Sequence, residues 1–293
     1  MARLLMDVTL HPDSAIDLHM HTTYSDGRWP AQQVVDFLAQ ENFNLVAITD
    51  HDRVDKVAEI QALGAAQRLP ILSGVEMSTE WNGAVGKGRM GDMLCYGFDP
   101  EQNELAALTQ KTVRLQLENT HQVHEALLRN GYVFPRQEEL LAANGGQLRF
   151  PADNARLLRE HGYVQSMQDG IKQMRDAGFY SVRSDMAETV EAVHRSGGVC
   201  LIAHPGRREG GFTFYEPSLL DQLRAEIPID GIEVYHPYHT PELVEAYLAY
   251  AQQHDLLQTT GSDSHYIPGR MPIKHRAEIS QRFLERLGIH ISE

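Results

Sequence analysis

The chain has 293 residues, of which 42% are hydrophobic, and its formal net charge at pH 7 is −14. This length and apolar content suit one large α/β domain, with or without an insert. The negative charge argues against an extended nucleic-acid surface, because phosphate contacts need lysine and arginine, but it leaves room for a local phosphate pocket.

Location and redox state follow from simple patterns. No stretch approaches the roughly 18 apolar residues that cross a membrane, and no signal-peptide pattern is present, so we expect a cytoplasmic protein. Cys95 and Cys200 lie in apolar runs without zinc-type spacing. We therefore expect two buried thiols rather than a disulfide.

Short apolar runs alternate with amphipathic segments at both ends of the chain. An apolar start predicts a first strand that ends in His19 and His21. Further buried strands are predicted over residues 44–50, 71–76, 199–204, 231–235 and 257–263. Helices are predicted to begin at Pro30 and Thr240 and to cover residues 187–195. This alternation predicts an α/β fold with a parallel sheet or barrel.

The middle of the chain has a different pattern. Residues 101–184 contain no convincing strand, and their apolar spacing predicts three helices. The first ends near Gly131, the second ends at His161 and Gly162, and the third covers residues 166–176. We therefore predict a discontinuous barrel domain, residues 1–100 and 185–293, interrupted by a small all-helical insert or cap, residues 101–184.

The predicted strands share one property, which is that each ends in a potential metal ligand. His19 and His21 are two residues apart and so face the same side of a strand, and Asp26 follows in the next loop. The carboxyl ends of parallel strands meet at one rim, where active sites gather. The ligands at the later strand ends are His51, Glu76, His204, Asp263 and His265.

Each of these residues also has an ordinary structural explanation. A lone histidine after a strand is most often simply hydrogen-bonded, and a lone terminal aspartate is often a helix cap. We expect Asp50 and Asp52 to be mainly caps, with Asp50 as an alternative partner that orients a ligand imidazole. Ligands at five strand ends, one of them a His-x-His pair, are better explained together by a metal site.

The motifs DLHMHTTYSDG, ITDHD, GVEMS, LIAHPGR and GSDSH, in this order, resemble the polymerase-and-histidinol-phosphatase (PHP) superfamily of metal-dependent phosphoesterases. Among its members the chain looks most like the stand-alone nucleoside 3′,5′-bisphosphate phosphatases and 5′-3′ exoribonucleases. The resemblance implies a distorted (β/α)7 barrel. It also implies two to three divalent ions of manganese, iron or zinc.

The resemblance further implies how the ligands are shared. One ion would be held by His19, His21, Glu76 and Asp263. Glu76 would bridge to a second ion, which His204 also binds. A third ion would be held by Asp26, His51 and His265. Closely spaced ions lower the pKa of a bridging water and polarise a phosphate oxygen. The expected nucleophile is a water held between the ions by His19, His21, Glu76, Asp263 and His265.

Two segments depart from the family pattern. Asp92 stands where relatives usually carry a ligand histidine. A carboxylate can still bind and favours a harder ion such as manganese or iron, so we expect Asp92 to be a ligand, the alternative being a weak or empty second site. Pro151, Ala152 and Asp153 stand in the insert where the bisphosphate-acting relatives carry Arg-Pro-His. This second departure affects the substrate more than the chemistry.

Few basic residues are candidates for binding the phosphate of a substrate. Arg207 directly follows the strand that ends at His204, and it is the main candidate; Lys87, Arg89 and Arg183 are weaker ones. Residues 86–89 are either a loop over the pocket or a plain turn, and we favour the turn. Glu233 is expected to point into the barrel near the ligands. His236 and His239 either line the pocket or lie in a solvated loop, and we favour the solvated loop.

The predicted function is hydrolysis of a small phosphomonoester, such as a nucleotide or nucleoside bisphosphate, by metal-activated water. Two alternatives share this chemistry, namely a histidinol-phosphate-type phosphatase and a 5′-3′ exonuclease on short oligonucleotides. A third alternative is a catalytically silent metal-binding module. Such a module should have lost ligand positions, whereas here the one changed position still carries a side chain that can bind a metal.

Overall fold

The structure is a computed structural model that describes residues 8–142, 145–209, 211–266 and 269–292. Its strands are β1 (Thr9–Leu10), β2 (Ala15–Asp17), β3 (Leu45–Ala47), β4 (Ile71–Leu72), β5 (Gly74–Trp81), β6 (Arg89–Tyr96), β7 (Ser184–Asp185), β8 (Val199–Ile202), β9 (Gly231–Tyr235), β10 (Leu257–Thr260), β11 (His275–Arg276) and β12 (His290–Ile291). Its α-helices are α1 (Ala31–Gln40), α2 (Val54–Ala66), α3 (Leu105–Arg129), α4 (Gln137–Leu140), α5 (Pro151–Glu160), α6 (Met167–Asp176), α7 (Met186–Arg195), α8 (Pro217–Glu226), α9 (Pro241–Gln253) and α10 (Gln281–Arg286), and a 3₁₀-helix covers Ala277–Ser280.

The larger sheets combine parallel and antiparallel pairs. One has the strand order β10-β9-β8-β6-β5-β7 and another the order β11-β2-β3-β4. Single bridges join Met20 to Ser264 and His51 to Glu76, and so connect chain just beyond β2 and β3 with the other sheet. The predicted α/β class is confirmed, while closure into a seven-stranded barrel stays a prediction.

The sequence did not predict the long hairpin of β5 and β6. The run predicted over residues 71–76 is two strands, and β5 continues to Trp81 before the chain turns back into β6. Gly86 allows this turn, because a Cβ there would lie 1.8 Å from Trp81 Cδ2. Lys87 lies in the turn and Arg89 begins β6, which agrees with the favoured turn rather than a loop over a pocket.

The chain divides into two compact units. One consists of the described residues up to Thr109 together with those from Ser184 onward, and the other covers Gln110–Arg183. Helix α3 begins in the first unit and continues into the second. The predicted domain limits at residues 100 and 185 stay a prediction.

The helical unit has an apolar core of its own. Its buried side chains come from the second half of α3, from the segment between α3 and α5, and from α5 and α6; they include Val123, Leu127, Leu148, Leu157 and Met174. The segment that departs from the family pattern begins α5, where Asp153 accepts hydrogen bonds from the backbone N–H groups of Arg149 and Phe150. Asp153 is therefore explained by helix capping.

The two cysteines behave as expected from the sequence. Cys95 on β6 lies opposite Cys200 on β8, and both are buried free thiols with their Sγ atoms 3.4 Å apart. In the part of the chain that the structure describes, no helix is long and apolar enough to span a membrane. The predicted cytoplasmic location stays a prediction.

Candidate metal centre

The loop that carries the first motif is held by Asp50. Its carboxylate accepts hydrogen bonds from Thr22 N, Thr22 Oγ1 and Ser25 Oγ, each at 2.7 Å. Asp50 is therefore not a helix cap, and that prediction is wrong, while the alternative that it orients a ligand imidazole stays a prediction. The loop that Asp50 shapes leads to Asp26.

Asp52 is not a helix cap either, because α2 begins after Arg53 without a side-chain cap. Its carboxylate instead accepts a hydrogen bond from Ser78 N at 3.0 Å, and its own N–H donates to Glu76 O at 2.9 Å. Asp52 therefore fastens the strand that carries Glu76. The sequence pattern could not separate this role from a cap, because both place an aspartate between a strand and a helix.

Four predicted ligands converge in the interior with their ligand atoms face to face. His19 Nε2 lies 2.9 Å and His21 Nε2 3.1 Å from Glu76 Oε2. His21 Nε2 lies 3.2 Å from Asp263 Oδ1 and also 3.2 Å from His19 Nε2. All four side chains are buried. Among the described residues they form a group that could hold a metal ion.

These spacings fit metal coordination. Two ligands about 2.1 Å from one ion at ordinary coordination angles lie roughly 3.0–3.4 Å apart. Two imidazole nitrogens that face one carboxylate oxygen and each other are poorly explained as hydrogen-bond donors alone. His21 Nδ1 and His236 Nε2 are also buried, and neither has a hydrogen-bond partner among the residues that the structure describes. The mixed imidazole and carboxylate set is the donor chemistry that manganese, iron and zinc accept.

The remaining predicted ligands lie around this group. His265 Nε2 is 3.1 Å from Asp26 Oδ2, and His21 joins these two in a possible site. His204 Nε2 is 2.9 Å from Glu76 Oε1 and 3.8 Å from Asp92 Oδ2. His51 belongs to a group with Glu76 and Asp92, and its ring stacks on that of His21.

The structure therefore brings all nine predicted ligands together but groups them differently from the family pattern. The family pattern places His51 beside Asp26 and His265. In the structure His21 lies beside those two residues, and His51 shares a group with Glu76 and Asp92. Asp92 is buried and reaches the side of Glu76 where a family histidine was expected. That all nine bind metal stays a prediction.

The backbone is also unusual at two of these positions. His204 has φ of +28° and Asp263 has φ of +49°, in the left-handed region that non-glycine residues seldom adopt. Such conformations cost on the order of 1–3 kcal/mol each and persist where the surroundings impose them, often at functional sites. Here they direct a side chain from the ends of β8 and β10 into the cluster.

The electrostatics of the cluster follow from opposite charges buried side by side. Burial alone would lower the pKa of His19, but the carboxylates of Glu76 and Glu233 hold it well above its usual range. Burial alone would raise the pKa of Glu76, but His19 and His51 hold it well below its usual range. Without a metal, protons on the imidazoles therefore balance the carboxylates. A divalent ion would replace those protons.

Glu233 was expected to point into the barrel, and the structure confirms that it is buried beside a ligand. Its Oε1 lies 3.0 Å from His19 Nδ1, and its Oε2 accepts a hydrogen bond from His204 N at 2.8 Å. A carboxylate on the outer nitrogen of a ligand imidazole fixes the ring and raises its basicity. Glu233 therefore orients His19 toward the cluster.

The prediction that His236 and His239 lie in a solvated loop is wrong. Both are buried, and the ring of His236 packs 6.1 Å from that of His19, with Nε2 3.5 Å from Asp263 Oδ2. His239 Nε2 accepts a hydrogen bond from Gly206 N while its Nδ1 contacts Val234 O. His236 directly follows β9, so the strand-end pattern used for the other ligands could have found it.

Sequence reasoning also missed Arg270. Its guanidinium donates to Asp263 Oδ2 at 2.7 Å and so turns Oδ1 toward His21. Arg270 lies in a loop beyond the last motif, and no strand pattern or residue spacing there identifies it as a site residue.

The predicted substrate residues are spread over the molecule. Arg207 lies close to the cluster, since its N–H donates to His204 O at 2.9 Å. Lys87 and Arg89 are exposed at the hairpin of β5 and β6. Arg183 is half-buried at the end of the helical unit, and its Nε donates to Ser181 Oγ at 3.0 Å. Arg207 has the best support as a substrate residue, because its backbone contact with His204 places it beside a predicted ligand.

Known proteins are similar to this chain over most of its length. A model of the PHP domain matches residues 17–149. The 3′,5′-nucleoside bisphosphate phosphatase of Chromobacterium violaceum is 29% identical over 263 residues, which cover 85% of this chain and 87% of that protein. The 5′-3′ exoribonuclease Rnm of Escherichia coli K12 is 30% identical over 262 residues, which cover 85% of this chain and 84% of that protein. This chain belongs to the PHP family.

Solved structures agree with PHP membership. A crystal structure assigned as a metal-dependent phosphoesterase from Bifidobacterium adolescentis has a TM-score of 0.76 at 25% identity and covers 94% of this chain and 97% of its own. An amidohydrolase from Chromobacterium violaceum with bound sulfate has a TM-score of 0.73 at 27% identity. The match covers 93% of this chain and 96% of the amidohydrolase chain. The PHP chain is a metal-dependent phosphoesterase, which confirms the predicted enzyme class.

Proposed function

We propose that this PHP chain hydrolyses a phosphomonoester of a nucleotide or nucleoside bisphosphate, with two or three divalent ions of manganese, iron or zinc as cofactors. The observation that carries the proposal is the buried convergence of His19, His21, Glu76 and Asp263, whose ligand atoms lie within 4.8 Å of one another. Its support from relatives is the nucleoside bisphosphate phosphatase among the similar proteins.

The proposed ligands are the nine side chains brought together around Glu76. Divalent ions bound to such a set polarise a phosphate oxygen and make water a better nucleophile at neutral pH. The proposed ligands are His19, His21, Asp26, His51, Glu76, Asp92, His204, Asp263 and His265.

The chain itself supplies orientation and a dry environment. Glu233 fixes the ring of His19, and Arg270 turns the carboxylate of Asp263. The ligand carboxylate of Glu76 divides its oxygens, with Oε2 toward His19 and Oε1 toward His204. Burial of these carboxylates strengthens their attraction for divalent ions. Arg207 is the proposed substrate-binding residue.

The metal-site proposal is tested by removing its two central histidines. Protein loaded with manganese should release phosphate from a generic aryl phosphate, and the His19→Ala/His21→Ala double variant should lose both bound metal and turnover. A matched control removes two exposed histidines, His121 and His290, and should keep both. Full metal content and activity in the first variant would contradict the proposal.

The role of Asp92 needs its own measurement. We expect Asp92→Ala to lower the number of ions bound per chain, measured by elemental analysis after removal of free metal, and Asp92→His to restore it. Unchanged metal content in Asp92→Ala, with the fold intact by circular dichroism, would show that Asp92 is not a ligand.

The substrate is best identified by a phosphate-release screen run with manganese, iron and zinc in turn. Nucleotides and nucleoside 3′,5′-bisphosphates are the proposed substrates. Short oligoribonucleotides, followed by the mononucleotides they release instead of phosphate, test the alternative favoured by the similarity to the exoribonuclease Rnm. Histidinol phosphate tests the remaining alternative. Turnover of oligonucleotides alone would replace the proposed substrate while leaving the metal-site proposal in place.

A further inference from the structure

Two arginines share one aromatic ring at the edge of the metal centre. The Cζ atom of Arg207 lies 5.5 Å and that of Arg270 4.6 Å from the centroid of the Tyr238 ring. Arg207 also packs 4.0 Å from the ring of Phe212. Contacts of this kind hold a guanidinium in place through the negative face of the ring. Tyr238 therefore brings two positive groups, from distant parts of the sequence, to one place.

Both arginines are tied directly to predicted metal ligands. Arg207 follows His204 by three residues, and Phe212 packs its edge against the His204 ring at 5.4 Å. Arg270 donates to Asp263 Oδ2 at 2.7 Å. The Tyr238 ring itself lies 5.1 Å from the ring of His236. The arginine pair therefore lies next to the metal centre without being part of its ligand set.

The pair retains unused capacity to bind an anion. The Nε atoms of Arg207 and Arg270 are buried and have no hydrogen-bond partner in the described parts of the chain. Within the described ranges, Arg207 forms no ion pair with a carboxylate, whereas Arg270 shares its charge with Asp263. A guanidinium presents several N–H donors in a rigid fork that matches the oxygens of a phosphate. A group with about two negative charges would satisfy both arginines.

We propose that Arg207, Arg270 and Tyr238 form a subsite for a second phosphate group of the substrate, beside the phosphate that is hydrolysed. This inference rests on the proposed function, which places the reacting phosphate at the metal ligands. The second phosphate remains on the product. The subsite would make the enzyme prefer substrates that carry two phosphates over those that carry one.

Arg207 carries the test, because replacing Arg270 would also disturb Asp263. Wild type and Arg207→Gln are compared on adenosine 3′,5′-bisphosphate and on the adenosine 3′- and 5′-monophosphates. We expect the preference for the bisphosphate, as a ratio of kcat/KM values, to fall about tenfold or more in Arg207→Gln, as for the loss of a charge-assisted hydrogen bond. The loss should lie mainly in KM.

Two variants control for charge and folding. Arg208→Gln removes the neighbouring exposed arginine, whose guanidinium lies over Phe214, and should keep the wild-type preference. Arg207→Lys keeps the positive charge but loses the forked N–H donors of the guanidinium. Its preference for the bisphosphate should lie between those of wild type and Arg207→Gln. If Arg207→Gln does not fold, as shown by circular dichroism, the Arg207→Lys result decides.

The outcomes separate this inference from the proposed function. Equal losses on both kinds of substrate would mean that Arg207 binds the reacting phosphate, and an unchanged preference would mean that it binds neither; either result overturns the subsite. If wild type hydrolyses none of these compounds, the proposed function fails. Calorimetric binding of the same ligands to the metal-loaded protein then still tests the subsite, which predicts tighter binding of the bisphosphate and its loss in Arg207→Gln.

Discussion

Glu233 shows how one buried residue can organise a site without belonging to its ligands. It contacts His19 Nδ1 with one oxygen and the backbone of His204 with the other. Burial alone would raise the pKa of Glu233, but His19 and His236 lower it to about 2. The carboxylate therefore stays charged through the neutral range. It fixes two predicted ligands from different strands in one arrangement.

We expect Glu233→Gln to weaken metal binding about 10- to 100-fold, as is typical when the partner of a ligand histidine is changed. The amide keeps the size of the side chain but loses the charge that supports His19. Metal affinity is measured by competition with a chelator. The matched control is Glu242→Gln, an exposed residue of α9, which should bind metal like wild type. Unchanged affinity in Glu233→Gln would contradict this role.

Asp50 holds the loop that leads to Asp26. Replacement by alanine leaves the three donors of Thr22 and Ser25 without their acceptor, which should lower the free energy of unfolding by about 2–4 kcal/mol. Urea unfolding measures this loss. Asp50→Asn retains one oxygen acceptor and should cost less. A loss below that of a typical surface substitution would show that the loop is held by other contacts.

Some elements of the fold can be predicted from the sequence and others cannot. Helices α5, α6, α7 and α9 follow the predicted apolar spacing, and Ser166, Asp185 and Thr240 cap three of them through their side chains. The hairpin of β5 and β6 was missed because its strands are buried on both faces over much of their length. Such strands show no alternation that would mark their direction or partner.

Helix α5 offers a test of a local signal. Asp153 accepts hydrogen bonds from two backbone N–H groups at its start, so Asp153→Ala should lower the free energy of unfolding by about 0.5–2 kcal/mol. Chemical unfolding measures the change. The metal content of the folded protein should stay at the wild-type level, because Asp153 is not among the proposed ligands. Loss of metal without loss of stability would give Asp153 a role other than capping.

At the scale of the whole molecule, the metal centre couples stability to pH. Burial alone would lower the pKa of His265, but Asp26 and Asp263 raise it from 6.5 to about 9. The folded, metal-free protein thus binds this proton more tightly than the unfolded chain does. The resulting stability is fully present below about pH 6.5 and is lost as the pH rises through about 9.

Metal binding should respond in the opposite direction. Ligand histidines must give up their protons to an ion, so metal affinity rises over the range in which His265 deprotonates. We expect the difference in melting temperature between metal-loaded and chelator-treated protein to widen from pH 6.5 to pH 9. Differential scanning calorimetry at saturating manganese measures it. A difference that narrows over this range would show that these imidazoles do not compete with protons for metal.

The sequence by itself determined the fold class, the enzyme class and the residues around Glu76. The residues around Glu76 followed from the strand ends, because parallel strands carry their last residues to one rim. The enzyme class followed from the resemblance of the motifs to the PHP superfamily. Tertiary structure alone decided how these residues are grouped, and it added Arg270 and the buried His236 to them. It also turned Asp50 and Asp52 from expected caps into supports of the site. Those roles depend on contacts between segments far apart in the chain, and the local spacing of residues cannot predict such contacts.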